Sequence, residues 1–151
     1  MSCARDIGSE EIIRLLKSPE AVKVFEEQGV LAAYLYGSAA HGNMHAHSDV
    51  DVAVVFDHSV PRDERFRRRL KLTVEVMGLL RVNDVDVVPL NDAPPLLVFH
   101  VLRDPVVLYK ADHRQSAEFE IKMIGMYYDL RPALEEYRRQ MFARIEERGL
   151  A

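Results

Sequence analysis

Asp49 and Asp51 stand two residues apart where an apolar run opens, and Gly37-Ser38 closes the apolar run before it. The runs, 31–36 and 52–56, are short and rich in aliphatic and aromatic residues, which predicts two buried strands joined by a loop. Side chains alternate faces along a strand, so Asp49 and Asp51 share a face. Carboxylates that close repel unless a cation lies between them, and hard oxygen donors suit magnesium. Gly37 and Ser38 offer backbone N–H groups and a hydroxyl, the chemistry of a phosphate-binding turn. Ser48, beside Asp49, adds a second hydroxyl at the same place. Metal and phosphate together point to nucleotide chemistry.

A third carboxylate would complete a phosphoryl- or nucleotidyl-transfer site. Asp86 is the candidate, because it lies mid-strand in Val85-Asp86-Val87-Val88, where a charge is costly unless paired or metal-bound. Asp84 lies on the same face and competes, but sits nearer the strand's start and should be wetter. In a two-metal scheme, Asp49 and Asp51 would hold both ions and Asp86 would share one while taking the proton of an attacking hydroxyl. Ser38 and the amides after Gly37 would clamp the outer phosphates.

Other elements must position these groups. Ser9-Glu10-Glu11 and Ser18-Pro19-Glu20 each read as a helix start. Pro61 opens a helix to about Leu80, with Phe66, Leu70, Val74, Met77 and Leu80 expected to face the core. Residues 84–90 alternate as a third strand, 91–101 hold a helix, and 106–109 make a possible fourth strand. From about 115 to 148 the pattern is helical, with a kink or break expected at Pro132. The short link between the first two strands implies an antiparallel or mixed sheet, with helices expected to one side. This is an α+β (α/β sandwich) class, and the absence of G-x-G-x-x-G speaks against a Rossmann fold.

At 151 residues, 48% hydrophobic and 29% charged, the chain fits one globular domain. Its expected parts are N-terminal helices over 1–29, a catalytic sheet with helices over 30–110, and a helical segment over 113–149. A net charge of −4 argues against a broad nucleic-acid footprint. The lone cysteine, Cys3, rules out an internal disulfide and a cysteine zinc site. Neither a secretory signal nor a membrane span of roughly 20 apolar residues is evident, so a cytoplasmic location is expected. His41, His45 and His47 read as loop residues near a polar site, with nucleotide contact or an adventitious metal site as the alternatives. The basic run Arg62, Arg65, Arg67, Arg68, Arg69 and Lys71 reads as a solvated helix face, with an acidic partner or a triphosphate as the alternative. Tyr127, Tyr128 and Tyr137 read as packing residues.

Gly37-Ser38, ten intervening residues, then Asp49-x-Asp51 resembles the signature of the DNA polymerase β-type nucleotidyltransferase superfamily. Asp86 matches the position of its third catalytic aspartate. The short chain resembles the minimal nucleotidyltransferases (MNT), and the helix with Tyr-Tyr-Asp-Leu-Arg-Pro resembles the tail of their antitoxin branch. That resemblance implies a polymerase β-like fold with a long C-terminal helix, two magnesium ions, ATP as substrate, and a HEPN-domain ribonuclease toxin as partner. It further implies transfer of AMP to a toxin tyrosine. The sequence leaves three packing partners open for the C-terminal helix: its own domain, a copy of itself (a homo-oligomer) or a toxin (a hetero-oligomer). The Arg-x(4–6)-His-x-Tyr motif of HEPN toxins is absent. Two alternatives stand beside this: a small-molecule nucleotidyltransferase of the aminoglycoside type, and a non-catalytic antitoxin that neutralises by binding.

Overall fold

The computed structural model describes residues 7–42 and 49–149. His45, His47 and Ser48, and Cys3 at the N-terminus, lie outside the described residues. Two short helices come first, α1 (Ser9–Leu16) and α2 (Pro19–Glu27). Strand β1 (Val30–Tyr36) ends in a 3-10 turn, Gly37–Ala39, and β2 is Val50–Phe56. Helix α3 (Arg62–Leu80), strand β3 (Val85–Pro89), helix α4 (Pro95–Leu102), strand β4 (Val106–Lys110) and helix α5 (His113–Glu147) follow. Local chemistry explains several boundaries. Ser18 caps α2 by accepting a bond from the Ala21 amide, with Pro19 at the first helical position. Asp112 caps α5 by accepting from Gln115 N. At α1 the cap residue is Gly8, and Ser9, expected there, already lies in the helix.

The sheet order is β3-β2-β1-β4. β1 runs antiparallel to both β2 and β4, whereas β2 and β3 are parallel, so the sheet is mixed. Helix α3 makes the crossover that parallel neighbours need.

Helices cover both faces, not one. On one face Ala33, Leu35, Val52, Val54 and Phe56 pack with Ile12, Leu16 and Phe25 of α1 and α2 and with Leu72, Val76 and Leu80 of α3. On the other, Leu31, Tyr34, Ala53 and Val55 pack with Val98 and Val101 of α4 and Met123 of α5. The physical reason lies in the central strands, which are apolar at successive positions and therefore need cover on both sides.

Two expectations about helices change. Phe66, Leu70 and Val74 of α3 point to solvent at 65%, 50% and 67% exposure, and Leu72 and Val76 are buried alongside Leu80, which was expected in the core. Both sets recur every four residues, so α3 carries two apolar stripes and only one meets the sheet. Nor does the chain break at Pro132, which sits inside a continuous α5. That half of α5 is largely exposed, leaving water free to serve the carbonyl that Pro132 cannot bond.

Tail and sheet are joined at defined points. The Tyr34 hydroxyl donates to Glu120 Oε1 at 2.5 Å, and Lys110 Nζ lies 3.2 Å from the same oxygen. Phe99 of α4 stacks on Tyr127 of α5 with ring centroids 3.8 Å apart.

Candidate active site

Parallel pairing of β2 with β3 sets Asp51 directly opposite Asp86. Antiparallel pairing of β1 with β2 sets Tyr36 opposite Asp51. Tyr36, Asp51 and Asp86 thus form one row across three strands, on the face that carries α4 and α5. Asp49 precedes β2 by one residue and is exposed. Asp84 lies before β3 and is exposed, and its carbonyl accepts from Val50 N at 2.8 Å. The ladder, not burial, separates Asp86 from Asp84. β3 is an outer strand, and the Asp86 side chain is 52% exposed, so the expected burial between valines does not hold.

Gly37 closes on this row. Its φ of +70° lies in the left-handed region, where a side chain is disfavoured. A β-carbon there would also lie 2.7 Å from Asp51 Oδ2. Glycine is therefore required twice over, by its own backbone and by the carboxylate it faces. The 3-10 turn continues through Ser38, half-buried, with Ala40 N donating to Gly37 O at 3.2 Å.

The electrostatics are those of crowded negative charge. Burial, then Asp86, then Asp49 raise the pKa of Asp51 above the ordinary carboxylate value. Tyr36 is pushed up to about 12 by burial and by the charges of Asp51 and Asp86, so its hydroxyl stays protonated at neutral pH. Arg69 Nη2 of α3 lies 3.4 Å from Asp86 Oδ1 and offsets part of that charge. Among the described residues no three His, Cys, Asp or Glu side chains form a ready metal cluster. As a donor set, oxygen-only carboxylates around Asp51, whose ionisation burial and its acidic neighbours disfavour, fit a hard divalent cation, which would favour it.

Cavities flank the row on both sides. One of about 310 Å³ adjoins the Gly37 turn, lined by Tyr36, His41, His100, Arg103 and Asp104. His41 Nδ1 lies 3.7 Å from Asp104 Oδ2, in the wall of this cavity. The other, of about 360 Å³, lies along the outer edge of β3 and is lined by Arg62, Arg65 and Arg69 among others. Sequence reasoning missed Tyr36, His100 and Arg103 as site residues. Tyr36 was accessible to it, since the residue before Gly-Ser must end β1 beside Asp-x-Asp in an antiparallel pair. His100 and Arg103 arrive through tertiary packing and have no local signal.

The basic run of α3 divides. Arg62 and Arg67 are solvated, but Arg65 is largely buried and Arg68 donates to Gln28 O and Glu64 Oε2 at 2.8 and 2.9 Å.

A family profile described as "Polymerase beta, Nucleotidyltransferase" matches residues 20–114. The chain belongs to this nucleotidyltransferase family. The match spans the Gly-Ser turn, Asp49, Asp51 and Asp86. Among its relatives is the protein adenylyltransferase MntA of Shewanella oneidensis, 30% identical over 97 residues, which cover 64% of this chain and 66% of that protein. Spectinomycin 9-adenylyltransferase of Staphylococcus aureus is 36% identical over 64 residues, 42% of this chain. The match spans only 23% of that relative's length. In three dimensions the chain resembles one from the structure of the tri-AMPylated Shewanella oneidensis HEPN toxin in complex with MNT antitoxin, with a TM-score of 0.63 and 20% identity over 89% of this chain and 98% of that one. This likeness shows the polymerase β-like nucleotidyltransferase fold. No helix among the described residues is long and apolar enough to cross a membrane.

Proposed function

We propose that this member of the nucleotidyltransferase family is a magnesium-dependent protein adenylyltransferase of the antitoxin type, which moves AMP from ATP to a tyrosine hydroxyl of a HEPN ribonuclease partner. The observation that carries the reading is the Tyr36–Asp51–Asp86 row with Gly37 closed against Asp51. It gives one flank suited to phosphates and one carboxylate suited to a proton.

Asp49, Asp51 and Asp86 would hold the magnesium, with two ions expected, and the metal would supply charge neutralisation around the triphosphate. The residues of the chain do the rest. The Gly37 turn, Ser38 and Ser48 bind the outer phosphates. Tyr36, kept protonated, donates a hydrogen bond where negative charge gathers. Asp86 accepts the proton of the attacking tyrosine. The ordering of both reactants on one rigid sheet supplies positioning, which with charge stabilisation accounts for most of catalysis in such transfers.

The likeness to spectinomycin 9-adenylyltransferase supports a second reading, a small hydroxyl compound as acceptor. The shared stretch is short, 23% of that relative's length.

Purified protein, ATP and magnesium, incubated with the cognate HEPN partner, should raise that partner's intact mass by whole AMP units. Asp49→Asn with Asp51→Asn should abolish the gain and end protection in co-expression. A double variant that still protects cells would leave only neutralisation by binding. Labelled AMP on an aminocyclitol, with none on the protein partner, would favour the second reading.

A further inference from the structure

Helix α5 carries an apolar seam that runs on past its cover. Met123, Tyr127, Leu130, Leu134, Tyr137 and Met141 follow one another at alternating steps of four and three residues. That is the spacing at which one helix packs along another. Met123 is buried against the sheet, and Tyr127 stacks on Phe99 of α4. Beyond them the seam is bare. Leu130, Leu134, Tyr137 and Met141 are between 40% and 63% exposed, and over 128–147 every residue but Ile145 is exposed. Phe142 lies on the same side of the helix, and Leu96 of α4 forms the near wall of a groove of about 370 Å³ along it. A monomer rarely leaves so long an apolar stripe to water, and a helix draws most of its stability from the face it packs. With the stems of Arg131 and Arg138, this face offers on the order of 800 Å² per copy, the size of a specific dimer contact.

The charges along the seam complement themselves. Residues 128–148 hold five arginines and five carboxylates, so two such segments meet without net repulsion although the whole chain stands at −4. In the groove the order is Arg131, Glu135, Arg138. Arg131 bonds Glu135 at 2.9 Å, whereas Arg138 has no partner among the described residues.

We propose that α5 packs antiparallel on α5 of a second copy of this chain, about a two-fold axis beside Glu136 and Tyr137. Such an axis sets Glu135 of each copy against Arg138 of the other, and the pair occurs twice because the contact is isologous. It also sets Leu134 against Tyr137 and Leu130 against Met141. A parallel pair would bring Arg131 to Arg131 and Arg138 to Arg138 instead. None of these residues belongs to the Tyr36–Asp51–Asp86 row or to the cavity beside Gly37, so both sites stay free in the dimer. The proposal is independent of the adenylyltransferase reading.

Sedimentation equilibrium of the full chain, alone and at micromolar concentration, should give twice the chain mass of 17.3 kDa. Leu134→Glu, at an exposed position, should give the single mass. Glu135→Arg and Arg138→Glu each place like charges together at both ends of the axis, and each should weaken self-association about tenfold. Mixed in equal amounts, these two variants regain both opposite-charge pairs, and dimer should return to near wild-type strength. That return also shows that both variants are folded. A wild-type chain that stays at the single mass overturns the proposal, and protection of 128–147 from hydrogen exchange by the folded HEPN partner would then identify that partner as the occupant. A dimer that survives Leu134→Glu, or variants that gain nothing on mixing, would place the contact elsewhere and overturn it equally.

Discussion

Gly37 and Asp51 are in such close approach that a single methyl group on the glycine would lie 2.7 Å from the carboxylate oxygen and push it aside. Gly37→Ala should therefore do two separable things. The left-handed backbone should cost about 1–2 kcal/mol of stability. Displacement of Asp51 by about an ångström should lower transfer on the order of 100-fold. Gly42 is the control, because its φ of +75° imposes the same backbone cost with nothing within 4 Å of its β-carbon. Thermal melts should move alike for Gly37→Ala and Gly42→Ala, and turnover should collapse only in the first.

Asp51 weakens the metal-free fold at neutral pH. Its pKa is raised in the native state, so between the ordinary carboxylate value and the raised one the native protein holds more protons than the unfolded chain. Stability must then fall as pH rises through that window, and the penalty stays constant above it. Asp51→Asn should melt higher than wild type at pH 7 without metal, and the difference should vanish below about pH 4. Magnesium should raise the wild-type Tm and leave Asp51→Asn nearly unmoved. A variant that melts lower than wild type at pH 7 would contradict the crowding of charge.

Asp86 and Asp84 should differ sharply. Asp86 faces Asp51 in the ladder, whereas Asp84 lies outside the strand and serves it through its backbone carbonyl, which an asparagine keeps. Asp86→Asn should lower the rate of AMP transfer by about 10²–10⁴, the worth of a positioned base. Asp84→Asn should stay within about tenfold of wild type. Steady-state rates of pyrophosphate release measure both.

Tyr34 anchors the tail. Its buried hydroxyl donates to Glu120, and burial together with that carboxylate raises its pKa, so the proton stays in place across the working range. Tyr34→Phe should cost about 1.5–3 kcal/mol, as for a hydrogen bond to a charged group. Hydrogen exchange should then quicken first in the segment of α5 around Glu120. Uniform quickening throughout the sheet would assign the loss to core packing instead.

The parts of this molecule written locally were legible from sequence. Apolar runs ending in Gly-Ser and starting at Asp-x-Asp are self-contained signals, and the short link between them dictates an antiparallel pair. Alternation around Asp86 marked β3, and the parallel register then brought that residue opposite Asp51. What failed to show was set by partners distant in the chain. Phe66, Leu70 and Val74 follow the same spacing as Leu72, Val76 and Leu80, so periodicity could not choose which stripe of α3 meets the sheet. Cover on both faces was encoded in the unbroken apolar character of β1 and β2, a cue that the expectation of one-sided helices overlooked. Arg69, His100 and Arg103 gather around the row only because α3 and α4 converge there.

The outermost position of the strand bearing Asp86 has a consequence for access. A reacting group at the rim of a sheet can be met sideways by a hydroxyl still mounted on another folded protein. No cleft has to open and no loop of the visitor has to be threaded in. On the protein-acceptor reading, the visitor itself forms one wall of the reacting site.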